Sequence, residues 1–307
     1  MNIARQVARG KLVRGGATLS AIRESQKRKM TLGPKRKALG TIFALAAMLA
    51  AVLSLPLPGQ TDGSLKKTQH RKASAPKAAA PEPAKPVAMP FRAGETLNYR
   101  VSWSAFSNAA SLQLAVPEQR DLFGYPTWHF RALAHTLNPV RSLFSVDDQF
   151  DSYTDQTTLE ARQSEMHLDE LGKIDDQVSR FVAPGETSHL PGPSVVVPAG
   201  TRDPLGTLYV LRHVDWERTP ELAGTVFDGR DLYEFSAKRQ TADEKVAVAS
   251  GAYSASRISI DISQREKPVP GVHLIVWIAD DAARTPVLMQ AQMPFGNLRA
   301  ELTSASR

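Results

Sequence analysis

From Glu95 onward the chain alternates. Leu97, Tyr99, Val101 and Trp103 are apolar, and Thr96, Asn98, Arg100 and Ser102 between them are polar. A period of two marks a half-buried β-strand, with one face on a core and the other in water. The same period returns in residues 110–116, 127–135, 146–153, 174–182, 232–237, 253–262, 272–278, 287–293 and 297–303. Turn chemistry falls between runs, at Gly124-Tyr125-Pro126, Leu171-Gly172-Lys173, Asp228-Gly229 and Pro294-Phe295-Gly296, where glycine supplies positive φ and proline locks φ near about −65°. Helical segments do not alternate with these strands, so the pairing expected is antiparallel.

One segment follows a different period. After a Pro- and Gly-rich loop at residues 183–200, Asp203-Pro204 reads as a helix N-cap and first turn, and Leu205, Leu208, Tyr209 and Leu211 follow with helical spacing. The fold class expected is mainly β. A large antiparallel sheet curves on itself or forms an open, barrel-like sheet, and one short helix plugs an open side or end.

Charge divides the chain in two. Residues 1–90 hold 17 basic and 3 acidic side chains, and residues 91–307 hold 21 and 28. Of the 21 aromatic residues, 20 lie after position 90, so the globular body is expected at residues 91–307. Residues 1–37 carry 11 Lys or Arg against Glu24 alone. A nucleic-acid arm could look similar, but residues 38–55 are uncharged and apolar, and a basic flank before such a run reads as a signal peptide or a membrane-anchor helix. Pro56 and Pro58 with Gly59 suit a cleavage region, and Met30 would start an ordinary signal peptide. No small-x-small site precedes Pro56, which suits an anchor. Either reading keeps the basic segment cytoplasmic and sends the body outside, periplasmic by secretion or held at the inner membrane through the N-terminal helix. Residues 56–90, with seven prolines and six Lys or Arg, have the composition of a disordered linker.

The body offers few handles for chemistry. Without cysteine there is no disulfide, zinc-thiolate site, Cys nucleophile or acyl-Cys anchor. No nucleophile-elbow, P-loop, zincin or dinucleotide motif occurs, and neither a metal nor a cofactor is expected. Glu165, His167 and Asp169 share one strand face but read as the solvated side of an edge strand. Asp148 and Asp151 belong to an acid-rich strand, and Asp280 and Asp281 to the tight connection at residues 279–286. These four are the candidate carboxylates for an enzyme acting on envelope polysaccharide. In that connection Arg284 is expected to pair with one of the two aspartates and fix a hairpin. Trp103, Trp277 and Arg284 are the ligand-binding candidates.

Three stretches also resemble a known family. Residues 91–99 leading to Val101 and Trp103, the segment from Asp203-Pro204-Leu205 through Tyr209 and Arg212, and Asp228-Gly229-Arg230 with Tyr233 are similar to the bacterial exported domain-of-unknown-function family numbered 3108. Residues 277–287 and 294–302 resemble that family's C-terminal hairpin. The resemblance covers residues 91–303 and implies an envelope location and a β-rich domain, with no reaction attached.

The leading expectation is a non-enzymatic module whose curved sheet cradles an apolar or amphipathic ligand such as a lipid or glycolipid. Residues 272–278 are apolar on both parities, and the helix is short for so large a sheet. The alternatives are the carboxylate enzyme and a scaffold that binds an envelope protein through a sheet edge.

Overall fold

The computed structural model describes residues 88–186 and 191–307. The basic segment, the uncharged run and the linker as far as Val87 lie outside the described residues. No helix among those described is long and apolar enough to cross a membrane.

Fourteen strands form the body among the described residues. The first six are β1 (Thr96–Trp103), β2 (Phe106–Leu122), β3 (Tyr125–Thr136), β4 (Val146–Asp155), β5 (Ala161–Glu170) and β6 (Lys173–Val182). After the short β7 (Val195–Val196) come β8 (Glu221–Phe227), β9 (Leu232–Val248), β10 (Gly251–Gln264) and β11 (Lys267–Pro268), then β12 (His273–Ala279), β13 (Pro286–Met293) and β14 (Gly296–Ser306). Two helices interrupt them, α1 (Val140–Leu143) and α2 (Pro204–His213). The single short helix expected in the body is therefore corrected to two among the described residues, because α1 is one turn, too short to carry a period. Gly124, Gly172 and Gly229 take positive φ in their turns.

The strands run β7-β6-β5-β4-β3-β2-β1-β14-β13-β12-β10-β9-β8, with β11 on the edge of β10. Strands β1 to β6 are a meander, and the first and last strands close it side by side. All pairs are antiparallel except β6 with β7. Residues 201–202 bridge the two ends of this order. The Ala161 amide donates to Thr201 O at 3.2 Å, Arg202 N donates to Thr225 O at 3.0 Å and Phe227 N to Arg202 O at 2.9 Å. Ala161, Phe181, Val197 and Phe227 pack along this seam, with the Phe181 and Phe227 rings edge to face at 5.8 Å. The sheet thus curls into a barrel-like form.

Helix α2 lies inside the curl. Pro204 to Arg212 are all buried, and a helix buried on every side belongs in a core rather than over one. Tyr209 stacks on Phe130 at 3.7 Å and meets Phe91 edge-on at 5.1 Å. Thr154 packs against Gly206 from the inner face of β4. Shortness, which the sequence made an objection to coverage, becomes a fit requirement once the sheet surrounds the helix. The apolar second parity of β12 is also accounted for, since outward-facing Trp277 is capped by the Arg257 guanidinium at 5.5 Å.

Candidate site: an acidic cleft at the barrel mouth

The C-terminal end of α2 is fixed by arginines crossing in both directions. Arg212, 1% exposed, reaches Glu95 with N–O distances of 2.6 and 3.1 Å. It also donates to Ala283 O at 3.0 Å and Arg284 O at 3.2 Å. From the β12–β13 loop, Arg284 donates to His213 O at 2.7 Å and Val214 O at 2.6 Å. The expected Arg284–Asp pair is thus corrected: the guanidinium goes to carbonyls that a helix end leaves unsatisfied.

Above this junction the β9–β10 hairpin bends across the barrel end. Its β10 arm carries register shifts beside Arg257, of the kind that turn a strand, and its tip donates Ser250 N–H to Leu302 O at 3.1 Å. A cleft of about 450 Å³ remains between hairpin, loop and the turn after α2. Asp215 and Glu217 line it from the turn, Asp243 and Arg239 from the hairpin, and Asp280, Asp281 and Arg284 from the loop. Ala88 and Pro90 complete the wall. Five carboxylates thus face two guanidiniums, one of which is committed to backbone oxygens.

Hydrogen-bond donors are scarce in the cleft. Hydrogen bonds from the Arg218 and Glu217 amides hold the Asp215 carboxyl below its usual range. His213 is pushed down by burial and by the Arg284 charge, which favours the neutral ring, and its buried Nδ1 makes no hydrogen bond. Asp280 accepts from Ser256 Oγ at 3.0 Å. The lining is acceptor-rich and net negative, and it matches a ligand that brings N–H donors and positive charge.

The candidate residues part company. Asp280, Asp281 and Arg284 meet in the cleft. Asp148 and Asp151 point to opposite faces of β4. Asp148 is buried inside, where burial and then the Glu170 charge push it up to about 8. Asp151 is on the outer face between His129 Nε2 at 2.6 Å and Arg131 Nε at 2.7 Å. Burial acts to raise Asp151, but hydrogen bonds from His129, Gln149 and Arg131 outweigh it and hold the carboxyl low. Trp103 stacks on Phe106 at 6.2 Å, beside Gly296, and Trp277 lies on the outer face under Arg257. Neither tryptophan lines the cleft. Strand β5 pairs on both sides, with β4 and β6, which corrects its reading as an edge. Its His167 bonds Asp176 at 2.6 Å. Among the described residues no three His, Asp or Glu side chains converge as a metal site.

Asp215, Glu217, Asp243 and His213 were not singled out in the sequence. They sit in two separate segments, the turn after α2 and the β9–β10 hairpin, and only the hairpin bend brings them together.

A curled antiparallel sheet around one buried helix, with an acidic cleft at its mouth, defines a barrel-like β-module. The chain belongs to the family described as "Protein of unknown function (DUF3108)", whose model matches residues 98–303. It is similar to a β-barrel-like protein of DUF1849 from Brucella abortus, at 10% identity and a TM-score of 0.47 over 69% of this chain and 96% of that one. It is also similar to a protein provisionally described as a lipoprotein from Parabacteroides distasonis, at 8% identity and a TM-score of 0.34, over 71% and 98% of the two chains. No protein of curated function matches the chain.

Proposed function

We propose that this chain is a cell-envelope binding module whose ligand is polar and amine-bearing and sits in the mouth cleft, as an amino sugar or the amine headgroup of an amphipathic envelope molecule would. The observation that carries the reading is the lining: a concave site of about 450 Å³ with five carboxylates against two guanidiniums. Its volume falls in the range of small-molecule sites. The envelope location rests on the basic segment and the uncharged run at residues 38–55.

An acyl chain inside the sheet is disfavoured, because α2 fills that space. Two further voids, of about 20 and 10 Å³, have room for a water at most. Glycoside hydrolysis by the four candidate carboxylates is disfavoured as well, since they occupy three environments and two of them face opposite ways from one strand.

Calorimetric titration with a glucosamine tetramer, alongside the fluorescent fatty acid cis-parinaric acid, tests the reading. Saturable binding of the tetramer is expected, weakened about tenfold by the double substitution D280N/D281N, as loss of two partly screened charges predicts. Saturable uptake of the fatty acid with no tetramer binding would overturn it.

A further inference from the structure

The barrel end opposite the cleft carries apolar side chains that the core does not use. Strand β1 runs away from Glu95, and the β12–β13 loop lies at the cleft. The turns β1–β2, β3–β4, β5–β6 and β13–β14, with the β10–β12 connection, therefore gather at the far end. Of the eight large apolar side chains exposed among the described residues, four stand there: Phe106 at 36%, Leu143 at 76%, Leu171 at 57% and Ile174 at 65%. Leu171 is also held at φ 53° beside Gly172 at φ 73°, in a two-residue turn where Asn or Asp is the ordinary choice. A bulky side chain in that conformation is strained and, at the tip, gains nothing from the barrel.

Neighbouring turns are tied to one another. Leu171 N donates to Ser145 O, Leu137 N to Ala109 O and Ser104 N to Asn297 O, each at 2.8 Å, and Pro294 closes on Gly271. The turns form one rim in which these amides are already satisfied, as entry into a medium poor in water requires. The exposed charges of these turns are Lys173, Arg265 and Lys267 against Glu266. Behind the rim, Asp147, Asp175 and Asp176 are paired with Arg141, Arg230 and His167. The remaining turn at this end, residues 228–231, folds inward, with Gly229 against Met166.

We infer that this end of the barrel seats on a bilayer containing anionic phospholipid, with Phe106, Leu143, Leu171 and Ile174 entering the headgroup boundary. Three features select a bilayer over a protein partner. The apolar groups are separate turn tips set around a rim, and a fluid surface receives such points without a matching shape, whereas a protein interface needs complementary packing. The exposed turn charges are net basic, which complements anionic headgroups. The same chain carries at residues 38–55 an uncharged apolar run behind a basic segment, which brings a membrane to it. The 32 residues from 56 to 87 span at most about 110 Å when extended, and a ten-residue strand is about 33 Å long, so the chain before Ala88 is long enough to pass the barrel. Seated this way, the barrel turns its acidic mouth away from the bilayer and toward soluble ligand.

The test uses the full chain reconstituted in vesicles of phosphatidylcholine and phosphatidylglycerol. The chain has no cysteine, so a single one introduced at a chosen position takes a nitrobenzoxadiazole fluorophore cleanly. The L143C and L171C forms are compared with F123C and V196C, whose native side chains are as exposed, at 58% and 66%, but lie toward the cleft end. A lipid carrying a nitroxide near its headgroup is expected to quench the two rim labels about threefold or more above the two controls, as insertion of the tips requires. Adding L143E to the L171C form is expected to remove most of the quenching at position 171, because the rim seats as a unit. Rim labels quenched no more than the controls overturn the inference. Equal quenching at all four positions would mean that the N-terminal segment alone holds the body near lipid, and overturns it as well. Binding of the glucosamine tetramer enters neither outcome, so the reading of the cleft stands or falls separately.

Discussion

Glu95 and Arg212 are 117 positions apart and each 1% exposed. Two charges so far from water are stable only as a pair, and here each has a further polar partner. Arg212 reaches two carbonyls of the β12–β13 loop, and Arg307 approaches Glu95 at 3.6 Å. Removing one partner strands the other. R212M is therefore expected to cost about 3–5 kcal/mol in urea unfolding, and the double change E95L/R212M less than either single change. Near-additive costs would show that the pair is not coupled. Asp148 makes the opposite case, a buried carboxyl that prefers its proton. Its folded value of about 8 lies above the ordinary carboxylate range, so its contribution is intact in acid and is lost as pH rises from about 4 to about 8. D148N keeps an acceptor for the Asp169 amide, now 3.0 Å from Asp148 Oδ1, and removes the titration. The substituted protein should gain on the wild type steadily between about pH 4 and about pH 8 and level off above that, by several kcal/mol on the order of the full shift. A stability difference flat in pH contradicts this account.

Among the elements, α2 and the strands around it show what the sequence discloses and what it hides. Its start was legible because capping is local: Asp203 Oδ1 accepts from Gly206 N at 2.8 Å, just where Asp-Pro placed it. The place of the helix inside the sheet was not legible, because a short apolar stretch reads alike whether it caps a sheet or fills one. Asp203 also accepts from Ser152 Oγ on β4, a contact with no local signature. D203A should lower stability by about 2–3 kcal/mol, more than an isolated cap is worth, since it orphans the helix amide and the buried Ser152 hydroxyl together. A loss under about 1 kcal/mol would mean that the Ser152 contact adds nothing. Strands that line the core announced themselves by period two. Strand β5 did so less clearly, because Ser164 takes an inward position beside Met166 and Leu168. The outer half of β9 runs past the core and is largely exposed, so nothing makes it alternate. Strand β8 carries Gly224, against which the Phe235 ring is pressed, and a strand that yields its side chain to a neighbour loses its pattern. The site was half legible for the same reason. Asp280, Asp281 and Arg284 share one loop, whereas Asp215 and Asp243 join them only because the β9–β10 hairpin folds over the barrel end.

At the scale of the whole molecule, closure decides where a ligand can go. A sheet of fourteen strands that curls without an occupant would enclose a cavity fit for an acyl chain. Here α2 is the occupant, and the open volume is displaced to the mouth, where the lining is acidic rather than apolar. The central claim is that binding takes place at this mouth and leaves the helix-filled interior alone. Amide chemical shifts of the isotopically labelled chain, followed while the glucosamine tetramer is added, test it most directly. The expected changes cluster at residues 213–217, 239–243 and 279–284, with the amides of residues 205–211 unmoved. Shifts spread along α2 and the inward positions of β3 and β4, with the mouth unaffected, would contradict the claim and return the ligand to the interior.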